Sequence, residues 1–119
     1  MEQLYSTIDT IIKAQKKARQ NNDFLTLLVN GEALLEYLPQ MINYSVDMEM
    51  FYRKFEASLA NEKDENGKRN SGAYCETQAK AIKEYGEWQR AKLTIELMYE
   101  MVNVSKKLAG SVERELISR

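Results

Sequence analysis

The chain has 119 residues, 44% of them apolar, and its 17 basic and 18 acidic side chains leave a formal charge of −1. That length and apolar content suit one modest core, and the near-neutral balance excludes a polycation built to coat nucleic acid. Five glycines and a single proline argue for helix over a turn-rich β fold.

Residues 2–20 read as a first helix. Leu4, Ile8, Ile11 and Gln15 recur at steps of four, three and four, with Tyr5 and Ile12 widening the face. Lys13, Lys16, Lys17 and Arg19 crowd its second half, where the helix dipole favours cations. Asn21-Asn22-Asp23 ends it, and Asp23 is placed to cap the next helix.

Residues 24–38 fit a helical face through Phe24, Leu27, Leu28, Leu34, Leu35 and Leu38. The alternative is a hairpin, because Asn30-Gly31 between apolar runs is a strong turn signal. Helix, continuous or broken at Asn30-Gly31, is the expectation, since the flanks are leucine, alanine and glutamate and no other strand offers itself for pairing. Pro39 lacks a backbone donor and restricts Leu38, so a break is expected there, with a new helix over 40–61. Met41, Tyr44, Met48, Phe51, Phe55 and Leu59 form its face. The polar stretch 61–72, punctuated by Gly67 and Gly72, is expected as an exposed connector open to disorder and proteolysis.

The segment 73–118 then dominates the chain, with Ser71 before it as an N-cap. Ile95, Met98, Val102, Ala109, Val112 and Leu116 form one apolar row, and Leu97, Met101, Val104 and Leu108 form a second beside it. Two adjacent rows make a face wider than a two-stranded coil needs, and this is the expected self-association face. As one rod the segment would run roughly 70 Å, against about 35–40 Å across for a compact chain of this size. It must bend, with Gly86 and Gly110 as the expected places, or protrude and pair with another copy. The expected architecture is an all-α helical bundle of one domain, built on an antiparallel helical hairpin with a long C-terminal helix.

Histidine is absent, which removes Ser-His and Cys-His nucleophiles and the commonest neutral metal ligand. No glycine-rich phosphate loop and no Cys-x-x-Cys pair occur. Glu32/Glu36 and Glu96/Glu100 lie four apart, but a di-metal bundle wants inward Glu-x-x-His motifs, so they read as solvated faces. Cys75 reads as a half-buried structural residue, the alternative being a thiolate stabilised at a helix N-terminus. Neither catalytic residues nor a cofactor are expected. The single cysteine, the lack of a leader pattern and the charges inside the most apolar window (Glu96 and Glu100) suggest a cytoplasmic protein that does not enter membranes.

Binding is the better-supported role. Lys13, Lys16, Lys17 and Arg19 could meet phosphates, while Tyr85, Trp88 and Arg90 are of the types that anchor interfaces or stack on bases. The blander alternative is that the cations solubilise a helix end and the rings edge the core. Two functions follow: a homo-oligomerising module that binds a partner protein, or an accessory protein that binds nucleic acid or a nucleotide. Over 73–85 (Ala-Tyr-Cys-Glu-Thr-Gln-Ala-Lys-Ala-Ile-Lys-Glu-Tyr) and 99–108 (Tyr-Glu-Met-Val-Asn-Val-Ser-Lys-Lys-Leu) the sequence resembles small helical proteins encoded by bacteriophages. That resemblance implies a small binding protein, an inhibitor of a host or defence factor, rather than an enzyme.

Overall fold

The computed structural model describes residues 1–118, with the side chains of all but Ala109 and residues 112–118. Among the described residues the chain is all-α: α1 (Glu2–Gln20), α2 (Phe24–Asn61), α3 (Gly72–Lys80) and α4 (Lys83–Ser118), with one isolated bridge between Lys63 and Arg69. None of these helices is long and apolar enough to cross a membrane. The contacts gather into two compact units, the first of Met1–Gln40 with Thr94–Arg119 and the second of Met41–Leu93.

In the first unit α1 buries Tyr5, Ile8, Ile12, Gln15 and Ala18, while Leu4 and Ile11 lie half-buried at its edges. The helix ends in a Schellman turn, with the Asp23 N–H on Ala18 O and the Asn22 N–H on Arg19 O. Asn22 takes the left-handed conformation this needs (φ 53°), a role asparagine fills at modest cost. Asp23 then caps α2 as expected: its carboxylate accepts from the Thr26 N–H at 3.2 Å and the Thr26 hydroxyl at 2.7 Å. Those two bonds, the hydroxyl first, hold its pKa below the usual aspartate value.

Asn30-Gly31 neither turns nor breaks the chain. Gly31 is buried within α2, and a Cβ there would meet Ser105 Oγ at 2.7 Å and Ser105 Cβ at 2.8 Å. The glycine is a point of close approach between helices, which costs helix propensity and gains packing. Beside it lies a buried polar knot. Gln15 Nε2 donates to Leu27 O at 3.0 Å and to Ser105 Oγ, and the Ser105 hydroxyl faces both Leu27 O and Met101 O. Ile8, Ile12, Leu27, Leu34, Met98 and Val102 of the same unit are all buried. Each such side chain contributes about 1.5–3 kcal/mol on leaving water.

Pro39 does not end the helix. It is exposed, whereas Leu38 before it and Met41 after it are buried. Their burial outweighs a penalty of about 3 kcal/mol for an interior proline.

In the second unit the connector is a small hairpin rather than an unstructured linker. Asp64 Oδ1 accepts from the N–H groups of Asn66 and Lys68, each at 2.9 Å, and Gly67 takes φ 77°. Asn70 Nδ2 ties the loop to Leu59 O, and Ser71 caps α3 by accepting the Tyr74 N–H.

The expected break at Gly86 or Gly110 is also corrected, since both lie inside α4 and the interruption falls at Ala81-Ile82. Ala79 is buried on α3 and Ala91 on α4, on either side of that interruption.

Candidate binding surface

Three rings from two helices meet in the second unit. Tyr52 on α2 is buried, and its ring lies 5.0 Å from that of Tyr85 and 5.5 Å from that of Trp88 on α4. Tyr85 and Trp88 meet edge to face at 5.9 Å, a favoured aromatic geometry. Two cations cover the rings: the Arg53 guanidinium lies 5.1 Å from the Tyr52 centroid and 5.5 Å from that of Trp88, and Lys92 Nζ lies 5.2 Å from Trp88. Burial pushes the Tyr52 phenol pKa up, and its hydrogen bond to Glu56 (3.2 Å) adds to that. Nearby, the Tyr44 hydroxyl donates to Glu87 at 2.8 Å.

This arrangement limits what the rings can do. A base stacking on Trp88 must displace Arg53 or Lys92, each holding a cation–π contact of about 0.5–1 kcal/mol at an exposed site. The cluster is therefore a packed aromatic seam closed by cations. Tyr52, Arg53 and Lys92, absent from the sequence-derived contact set, are what close it.

The other expected contacts fall in different units. Lys13, Lys16, Lys17 and Arg19 are exposed on α1 in the first unit, with Lys13 paired to Asp9 at 3.0 Å, whereas Tyr85, Trp88 and the exposed Arg90 belong to the second. Cys75, expected to be half-buried, is fully buried on α3. A cleft of about 370 Å³ beside it is lined by Tyr52, Arg53, Glu56, Asn70, Cys75 and Glu76. Among the described residues no group of three or more Cys, Asp and Glu side chains is placed to hold a metal ion.

Of the seven side chains of the anticipated self-association face that precede Ala109, two, Met98 and Val102, are buried inside the chain. Met98 is 0% exposed and Val102 3%, while Ile95, Leu97, Met101, Val104 and Leu108 are half-buried. The first unit uses this face as its own core, so the two buried side chains are not available to a second molecule. Ala109, Val112 and Leu116 lie outside the described side chains.

A different apolar row faces outward. Ile42, Val46 and Met50 follow one another at four-residue steps on α2, and they are 36%, 49% and 50% exposed. Val46 and Met50 line a groove of about 330 Å³ together with Glu49, Arg53 and Lys54. Phe51, expected on the inward face, is half exposed as well. The signal for this row was an i, i+4, i+8 repeat out of phase with Met41, Ser45 and Tyr52, the residues that α2 buries here. No family model, curated protein or solved structure matches this chain.

Proposed function

We propose that the chain is a non-catalytic helical binding module whose outward row on α2 docks against an apolar surface of another protein. The observation that carries this reading is the exposure of Ile42, Val46 and Met50 in one line. Apolar side chains in a contiguous exposed row mark interaction surfaces, whereas single ones do not. The charged rim of Asp47, Glu49, Arg53 and Lys54 around the row has the composition of an interface edge. The covered face of Trp88 favours a protein partner over a nucleic acid. The resemblance to small phage-encoded helical proteins adds the direction of the effect: a protein that inhibits or modulates a host factor by occupying it.

Affinity capture from the native cell, comparing the wild type with Val46→Lys, tests the reading. Val46 is exposed, so the substitution leaves the fold intact, and circular dichroism checks that. Loss of the captured protein from the variant is the expected outcome; equal capture by both would refute the row as the docking surface.

A further inference from the structure

The outward row carries its own electrostatic code. On an ideal helix, at about 100° per residue, Asp47 and Lys54 lie on one side of Met50 by about 60° and 40°. By the same wheel, Arg53 and Glu49 lie on the other side by about 60° and 100°. Each flank thus holds one acid and one base, and on both flanks the acid comes first along the chain. Asp47, Arg53 and Lys54 are exposed and Glu49 is half-buried. Among the described residues none of the four forms an ion pair within its own chain.

From this we infer that the occupant of the row is a second copy of the same chain, laid antiparallel, with the two-fold axis passing close to Met50. A two-fold perpendicular to antiparallel helices brings each flank against the same flank of the other copy. Lys54 then meets Asp47 of the second copy on one side, and Glu49 meets Arg53 of the second copy on the other. Met50 packs on its own equivalent, and Val46 packs on the aliphatic stem of the second copy's Lys54. Ile42 comes opposite the small exposed Ala57 and Ser58. A parallel copy would set acid on acid and base on base along both flanks, at a cost. The row is short beside a standard interface of about 800 Å² per partner, so the pair is reversible and concentration-dependent.

The inference rests on the row being a docking surface, with the second copy covering it in the isolated protein where the partner protein is absent; loss of the captured partner from Val46→Lys tests the row separately. Charge reversal tests the identity and direction of the occupant. Asp47→Lys and Lys54→Asp each set like charges together twice in the dimer, and sedimentation equilibrium should show about tenfold weaker self-association for either. The double variant Asp47→Lys/Lys54→Asp on one chain restores both pairs and should return to within about twofold of the wild type. Residues 47 and 54 are seven apart on one helix, so no contact within the chain mimics that rescue. A wild type that stays monomeric at all concentrations overturns the inference. So do single variants that associate like the wild type, or a double variant that stays as weak as the singles.

Discussion

The two units solve helix packing in opposite ways. The first brings helices together on small and polar groups: Gly31 gives way to Ser105, and Gln15 ties Leu27 O to the Ser105 hydroxyl. Its buried face carries Ile8, Ile12, Leu27, Leu34, Met98 and Val102, while Leu25, Val29 and Leu35 stay exposed. The second unit closes on aromatic area, with Tyr52, Tyr85 and Trp88 in contact and Arg53 and Lys92 over their faces. It places Ile42, Val46 and Met50 outside. A tight interior with buried hydrogen bonds specifies one arrangement and tolerates little change. A seam of rings and cations holds together while leaving a neighbouring helix face unused.

The largest effect should come from filling the close approach. Gly31→Val forces Ser105 and its helix away, since even a single Cβ would sit 2.7–2.8 Å from that side chain, and it should cost about 3 kcal/mol. Amide hydrogen exchange should show the loss first in the first unit. Equal loss of protection in both units would break the contrast drawn between them.

Trp88→Ala is the matching experiment on the second unit. Trp88 is half-buried, so about 2–3 kcal/mol is expected, below the full cost of a buried tryptophan. Chemical denaturation measures it, and a change within ~0.5 kcal/mol, as for an ordinary surface substitution, would show that the ring seam does not hold the unit.

The smallest effect is a pH dependence confined to the first unit's cap. The folded pKa of Asp23 is depressed by the Thr26 bonds, so its contribution is present above the ordinary aspartate pKa and lost as pH falls through the lowered folded value. Asp23→Ala should therefore be less stable than the wild type at neutral pH, and the difference should shrink in acid. A difference independent of pH would remove the ionised cap from the account.

Much of the fold was legible in residue patterns, and what was not has physical causes. The first helix, the caps at Asp23 and Ser71 and the all-α class follow from local chemistry, which sequence carries directly. Pro39 misled because burial of Leu38 and Met41 overrules local propensity there, whereas at Asn30-Gly31 the expected helix forms despite the turn signal, and a neighbouring helix needs the missing side chain. The break at Ala81-Ile82 carries no glycine or proline, the residues that usually mark a helix end in a sequence. The expected self-association face is partly buried for a related reason. A broad apolar face on the last helix signals burial, but it does not say whether the same chain or another one supplies the cover. Here the same chain covers Met98 and Val102, and the shorter row on α2 is left facing out.

The central claim is that this row, and not the interior of either unit, makes the protein a binding module. Sedimentation equilibrium of the wild type and Val46→Lys over a wide concentration range tests it most directly. The wild type should associate reversibly while the variant stays monomeric with the same helicity, and at concentrations where both are monomeric with the same unfolding midpoint. Two identical curves would contradict the claim.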